Sequence, residues 1–164
     1  TCTTVIDRAG LTVDDYTADS EWYVYGLEEI LSLDLLLNEY VDVQGDGTIK
    51  VTKIKDNSKY YGTGSLIEVY DNVTGKLVES FRIVIFGDID GDSYANGVDL
   101  SILSEEVLSL TYWSIEGTED YCSYKVKAAD LRPDGIIDVQ DKALHNKHVL
   151  SLGYINQETG LVEM

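Results

Sequence analysis

Between Asp88 and Asp99 the chain sets oxygen-bearing side chains at short, regular intervals: Asp88, Asp90, Asp92, Asn96 and Asp99, with Tyr94 among them offering a backbone carbonyl. Counted from Asp88, the side chains fill positions 1, 3, 5, 9 and 12 and the carbonyl position 7, the ligand ladder of an EF-hand loop. Calcium is a hard cation that takes about six to eight oxygens, and a tight loop supplies them from spaced side chains plus one carbonyl. Chance acidity rarely fills five such positions and then opens a helix. The spacing therefore predicts a calcium site rather than a solvated acidic turn. Gly91 and Gly97 relax the loop backbone, while the usual position-6 glycine is Ser93 and position 12 is Asp rather than Glu.

The pattern recurs with a period of 42 residues. Placing Asp88 on Asp130 sets Asp92 on Asp134, Asp99 on Asp141, and VLSL at 107–110 on VLSL at 149–152, an internal duplication. In the second loop Asp130, Asp134, Asp138 and Asp141 fill positions 1, 5, 9 and 12, Gly135 takes position 6, and Ile136 offers the carbonyl. Position 3 is Arg132, followed by Pro133. Arginine has no acceptor and brings a positive charge to the site. Two outcomes stay open: water replaces the missing carboxylate while Arg132 swings outward, or the guanidinium pairs with the acids in place of the ion. The expectation is two calcium ions, the second held more weakly because of Arg132.

Each loop must be positioned by the elements around it. Leu100, Leu103, Val107 and Leu110 recur at helical spacing after the first loop, and Ala143, Leu144, Val149 and Leu150 do similar work after the second. A strand-like run, not a helix, leads into the first loop, so the pattern reads as half an EF-hand, twice. Upstream, residues 1–86 read as a small α+β module. It has a crowded apolar stretch at 26–41 predicted as a helix, and strands at 22–26, 48–54, 65–71 and 77–86. RIVIFGDIDGD runs from strand into loop with no Gly/Ser or Pro padding, which predicts two parts packed rigidly together.

The segments GDIDGDSYANGVDL and ADLRPDGIIDVQD, each followed by a helix, resemble the two repeats of a dockerin. Dockerins are the calcium-dependent modules that plug proteins into cohesin domains of cellulosome-type assemblies. The resemblance covers residues 87–152, with repeats at about 87–110 and 129–152; it implies a dockerin domain over 87–164 and makes residues 1–86 comparable by arrangement to the X module of X-dockerin pairs. It implies an α+β chain in which a small β-rich module packs on a mainly α dockerin with two EF-hand-like loops. It also implies a cohesin partner on a scaffoldin or cell-surface anchoring protein, and a secreted or surface-attached location. Carried over by position, the cohesin-facing residues are Gly97, Val98, Ser104, Glu105 and Ser109 in the first copy, and Val139, Gln140, Asn146, Lys147 and Ser151 in the second. Glu105 stands opposite Lys147, so a single docking orientation is expected. The connection at 111–124 is longer than dockerins commonly show; it either covers the core or joins the interface through Tyr112 and Trp113, and an aromatic plug of the core is the expectation.

Composition agrees with these expectations. Thirty Asp and Glu against twelve Lys and Arg give a net charge of -18, a poor surface for nucleic acid or anionic membrane. No apolar run is long enough to span a membrane. The chain opens TCTTVIDRAG and reads as a processed form or a fragment. Cys2 and Cys122 either form one disulfide or stay unpaired. His145 and His148, spaced i and i+3, lack a third ligand nearby and read as interface or surface residues. No nucleophile motif, P-loop or GxGxxG is present, so no enzyme is expected. The alternative is a carbohydrate-binding module whose calcium loops are structural, with Trp22, Tyr23, Tyr25, Tyr60 and Tyr61 as an exposed sugar platform.

Overall fold

A computed structural model describes residues 3–6, 12–14, 22–56 and 58–164. The fold is mixed α and β. Strands β1 (Thr3–Ile6) and β4 (Val41–Gln44) form an antiparallel pair. Strands β2 (Thr12–Asp14), β3 (Trp22–Tyr25), β5 (Gly47–Thr52), β6 (Leu66–Asp71) and β7 (Leu77–Ile83) form a five-stranded sheet in the order β2-β3-β7-β6-β5. Only β3 and β7 run parallel within it. Side chains alternate across a strand, so β6 buries Ile67 and Val69 while Leu66, Glu68 and Tyr70 stay part-exposed.

The stretch at 26–41 departs from the expected single helix. Helical structure is confined to α1 (Leu33–Leu35) and a π-helical continuation (Leu36–Tyr40), with the Ser32 hydroxyl accepting the Leu35 N–H at the start. Upstream, Gly26 has φ 99° and Ile30 φ 61°, left-handed conformations that a right-handed helix does not contain. Leu27, Leu31 and Leu36 still enter the core beside Val24, Ile67, Phe81, Ile83 and Ile85. The crowding of leucines there reflects burial, not helical periodicity.

As expected, no helix separates β7 from the first acidic loop, and α2 (Gly97–Val107) follows that loop. The second loop differs, because α3 (Ser123–Ala129) runs directly into Asp130 before α4 (Val139–Val149) begins. One-sided flanking therefore holds for the first copy and fails for the second. Helices α2 and α4 start alike. Asn96 and Asp138 are the N-caps, and Asp99 and Asp141 reach back to the cap amides to complete a capping box in each copy. The two helices pack on one another, and a hairpin absent from the sequence reading, β8 (Tyr154–Ile155) with β9 (Val162–Glu163), packs on α4.

The helical stripes are narrower than expected. Leu103 is fully buried, Leu100 and Val107 are half-buried, and Leu110 lies past the helix end and is exposed. On α4 Leu144 and Val149 are half-buried, Ala143 and Leu150 are exposed, and the inward position belongs to His145. Of the two aromatics at 112–113, Trp113 alone plugs the core, packing with Ile89, Leu103 and Ala129, whereas Tyr112 is exposed. Another cluster joins Tyr23, Tyr25, Val84 and Phe86 to Ala95, Ala128, Leu131 and Ile155, so residues from both sides of Phe86 share one core. Because Tyr23 and Tyr25 are buried and Tyr60 and Tyr61 are half-buried, those four rings do not form an exposed row. The Trp22 side chain and Cys2 lie outside the described residues, and Cys122 is half-buried.

Candidate metal centre

The first loop is built by backbone N–H groups turned onto its own carboxylates. Asp88 accepts the Gly91 N–H on Oδ1 (2.9 Å) and the Ser93 N–H on Oδ2 (3.0 Å). Asp99, at the third position of α2, accepts the Ile89 (2.7 Å) and Asp90 (2.9 Å) N–H groups on Oδ1 and the Asn96 N–H on Oδ2. Asp90 and Asp92 each hold the amide two residues on. Folded this way, Asp88, Asp90, Asp92 and Asp99 each bring a carboxylate oxygen to within 4.8 Å of the others. Among the described residues this quartet is the group of acids that converges so closely.

Four carboxylates in that space repel one another, and two of them are fully buried. Burial pushes Asp88 up to about 8 and Asp99 up to about 7, with neighbouring carboxylates adding to the backbone-bond-opposed rise in each. Asp92 is raised as well, by burial first and then by Asp90. A cluster of carboxylate oxygens whose ionised forms are this disfavoured is an arrangement that a cation relieves. The donor set is oxygen alone, which suits a hard metal ion. Asn96 lies beside the quartet, but its Oδ1 accepts the Val98 N–H as the α2 cap. The Tyr94 ring packs edge-on against Tyr60, 5.7 Å between centroids.

The sequence gives no sign of what closes the site from outside. Asp88 Oδ2 also accepts the Thr63 N–H (2.8 Å), from the turn between β5 and β6. Gly62 stands so close that an added Cβ would lie 2.3 Å from Asp88 Oδ2. Lys55 pairs with Asp90 Oδ2 at 3.2 Å, and the Ser58 hydroxyl donates to the Asp92 carbonyl. Ser93 explains its own departure from glycine. It takes the left-handed φ of 78° that the loop requires, and its buried hydroxyl accepts the Leu31 N–H (2.9 Å) while its carbonyl accepts the Ile30 N–H (2.8 Å). The serine spends backbone strain to tie the loop to the first module. Glu29 completes the seam by accepting the Ala95 N–H (2.6 Å) and facing His148 Nε2 at 3.5 Å. Burial would raise Glu29, but the bonds from His148 and Ala95 outweigh it and hold the acid below its ordinary value.

In the second loop Asp130 accepts the Asp134 and Gly135 N–H groups, Asp134 the Ile136 N–H, Asp138 the Gln140 N–H, and Asp141 the Arg132 and Asp138 N–H groups. Arg132 folds over the loop, with its guanidinium on the Gln140 side-chain carbonyl and 3.7 Å from Asp134. Burial raises Asp130 and Asp141. The loop is also more open, since Asp134, Gly135 and Ile136 are exposed where Ser93 is buried in the first copy.

All ten residues carried over as partner contacts reach the surface: Ser104 and Lys147 are half-buried, and Gly97, Val98, Glu105, Ser109, Val139, Gln140, Asn146 and Ser151 are exposed. A groove between α2 and α4 is lined by Leu100, Val107, Val139, Lys142, Ala143 and Asn146. The two histidines serve the fold. Buried His145 meets the Gly87 carbonyl at 2.8 Å and is held below its ordinary pKa by burial, so it is neither surface nor interface. His148 accepts the Ile155 N–H on Nδ1. No helix among the described residues is long and apolar enough to cross a membrane. No family model, curated protein or solved structure matches the chain.

Proposed function

We propose that this chain is a non-catalytic, calcium-dependent adaptor of dockerin type. It binds a cohesin module and so anchors a parent protein in an extracellular polysaccharide-degrading complex. The observation that supports this reading is the duplicated unit: an acidic loop, a capping box and an eleven-residue helix, present twice, with the two helices packed on one another. The quartet of the first loop holds Ca2+ through Asp88, Asp90, Asp92 and Asp99, with the Tyr94 carbonyl and Asn96 at the remaining ladder positions. Asp130, Asp134, Ile136, Asp138 and Asp141 hold a second, weaker ion beside Arg132.

On this reading calcium neutralises the buried carboxylates and fixes where α2 and α4 begin, which sets the angle between them. Val98 and Val139, exposed at the two helix starts, would be buried on the partner along with the flanking polar residues. Residues 1–86 act as an X-like buttress, in keeping with the bonds from Glu29, Leu31 and Thr63 into the first loop.

The test is calorimetric titration of the chain with a panel of cohesins in calcium and again in excess EDTA. Tight binding that chelation abolishes supports the adaptor. Calcium uptake with no cohesin bound across a broad panel refutes it.

A further inference from the structure

We propose that Lys55 sets the calcium affinity of the first loop: its ammonium occupies Asp90 when the ion is absent, so calcium binding exchanges one cation for another on a ligand carboxylate. The inference rests on the calcium reading of that loop.

Asp90 has one oxygen committed to the Asp92 N–H, and Lys55 Nζ sits 3.2 Å from the other, the oxygen left for an ion. The Asp90 side chain is 7% exposed and that of Lys55 39%, so the ammonium approaches from the solvent side onto an acid that water barely reaches. The lysine is held there. The Lys55 carbonyl accepts the Ser58 N–H (3.1 Å), the Ser58 hydroxyl binds the Asp92 carbonyl (3.2 Å), and the Lys53 ammonium closes on the Ser58 carbonyl. Lys53, Lys55 and Ser58 thus fasten the first module across positions 3 and 5 of the loop. The second loop has a cation at the same place by another route, since Arg132 is itself position 3 and leans on Asp134. In the first copy the charge comes from elsewhere in the chain, so a metal ion can displace it without unmaking the loop.

A lysine that merely ties the module to the loop would behave differently. Removing a tie weakens both the calcium-free fold and calcium binding. Removing an exchangeable counter-ion weakens the calcium-free fold and tightens calcium binding, because the ion no longer meets a positive charge on its ligand. At about 5–6 Å in a water-like medium, repulsion between an ammonium and a divalent ion corresponds to roughly tenfold in affinity. Screening by about 0.5 M salt should remove most of it.

The experiment uses Lys55→Met, which keeps the stem and adds no oxygen ligand, with Lys50→Met on an exposed site of β5 as the control for net charge. Calcium affinity is measured by competition with a chromophoric chelator at low and high salt, and unfolding is followed in EDTA. The expected result is calcium binding on the order of tenfold tighter in Lys55→Met at low salt, little difference at high salt, a lower melting temperature in EDTA, and no such pattern for Lys50→Met. Unchanged or weaker calcium binding in Lys55→Met, with normal uptake by the unsubstituted chain, overturns the exchange alone. Absence of calcium uptake by the unsubstituted chain overturns the exchange and the calcium reading together.

Discussion

Gly62→Ala should damage the first loop although residue 62 lies far outside it in sequence. The added Cβ would sit 2.3 Å from Asp88 Oδ2, 2.4 Å from the Ser93 amide nitrogen and 2.5 Å from the Gly91 carbonyl oxygen. Two of those three atoms are backbone, so no side-chain rotation makes room. Restoring ordinary van der Waals separation needs the wall between residue 62 and the loop to open by about 1 Å. Overpacking of this kind costs about 1–3 kcal/mol. Opening also stretches the Thr63 (2.8 Å) and Ser93 (3.0 Å) N–H bonds to the same carboxylate. With its pKa raised to about 8, Asp88 is largely protonated in EDTA near pH 7, and a bond to a neutral acceptor contributes about 0.5–1.5 kcal/mol, so losing one of them brings the total to roughly 2–4 kcal/mol. At about 2–4 °C per kcal/mol for a chain of this size, the melting temperature in EDTA should fall by roughly 10 °C. Calcium affinity should fall at least about tenfold, since each 1.4 kcal/mol at a displaced ligand is a factor of ten. Thermal unfolding in EDTA and calcium calorimetry read both effects. Gly97→Ala is the control, because a Cβ there meets nothing within 4 Å. Melting temperature and calcium affinity of Gly62→Ala equal to those of the unsubstituted chain would refute the packing argument.

Two further outcomes follow from the loops. Asp88 and Asp99 titrate in the folded chain at about 8 and about 7 instead of 3.8, so their contribution to calcium-free stability is full below about pH 4 and is lost as pH rises through 7–8. His145 works the other way, but its depressed pKa confines its effect to pH below 6.5, where the unfolded chain takes up a proton first. In EDTA the melting temperature should therefore fall between pH 6.5 and about 8.5. Calcium binding at pH 7 should release between about one and two protons, read by calorimetry in buffers of different ionisation enthalpy; a rise in calcium-free stability across that window contradicts the assignment. Arg132→Asp restores an oxygen at position 3 of the second loop and removes a cation, so a two-site calcium titration should show the weaker step move towards the stronger one. An unchanged isotherm would show that position 3 does not set affinity there.

What is legible in the sequence is what local geometry dictates. A twelve-residue loop positions its ligands through its own amides, so the spacing from Asp88 to Asp99 carries directly into a converged quartet. The helix starts are legible for the same reason, since a capping box spans four residues. Contacts made across long separations are not. Thr63 lies 25 residues from Asp88, and Glu29 lies 66 from Ala95, and no local pattern at either place announces the partner. Ser93 is a clue of another kind: a serine where the loop wants glycine takes a strained φ of 78°, and its contact with Leu31 holds it there. Helix α3 escapes notice because seven residues with two lysines, two alanines and no side-chain cap bond carry almost no periodic signal. The expected helix at 26–41 fails for the opposite reason, because its leucines reach the core from irregular chain that the Ile30 and Leu31 amides pin to Ser93. His145 deceives by type: a polar residue on a helix reads as exposed until Gly87 is seen to meet it.

Asp99 holds two appointments. One oxygen steadies the Ile89 and Asp90 amides at the mouth of the loop, and the other caps the first turn of α2; Asp141 does the same for Arg132, Asp138 and α4. A side chain so employed cannot drift without disturbing the carboxylate cluster and the helix's origin at once. Both copies carry aspartate at that post, Asp99 in the first and Asp141 in the second. Loop and helix are therefore one mechanical part: whatever moves that carboxylate moves the start of the helix with it.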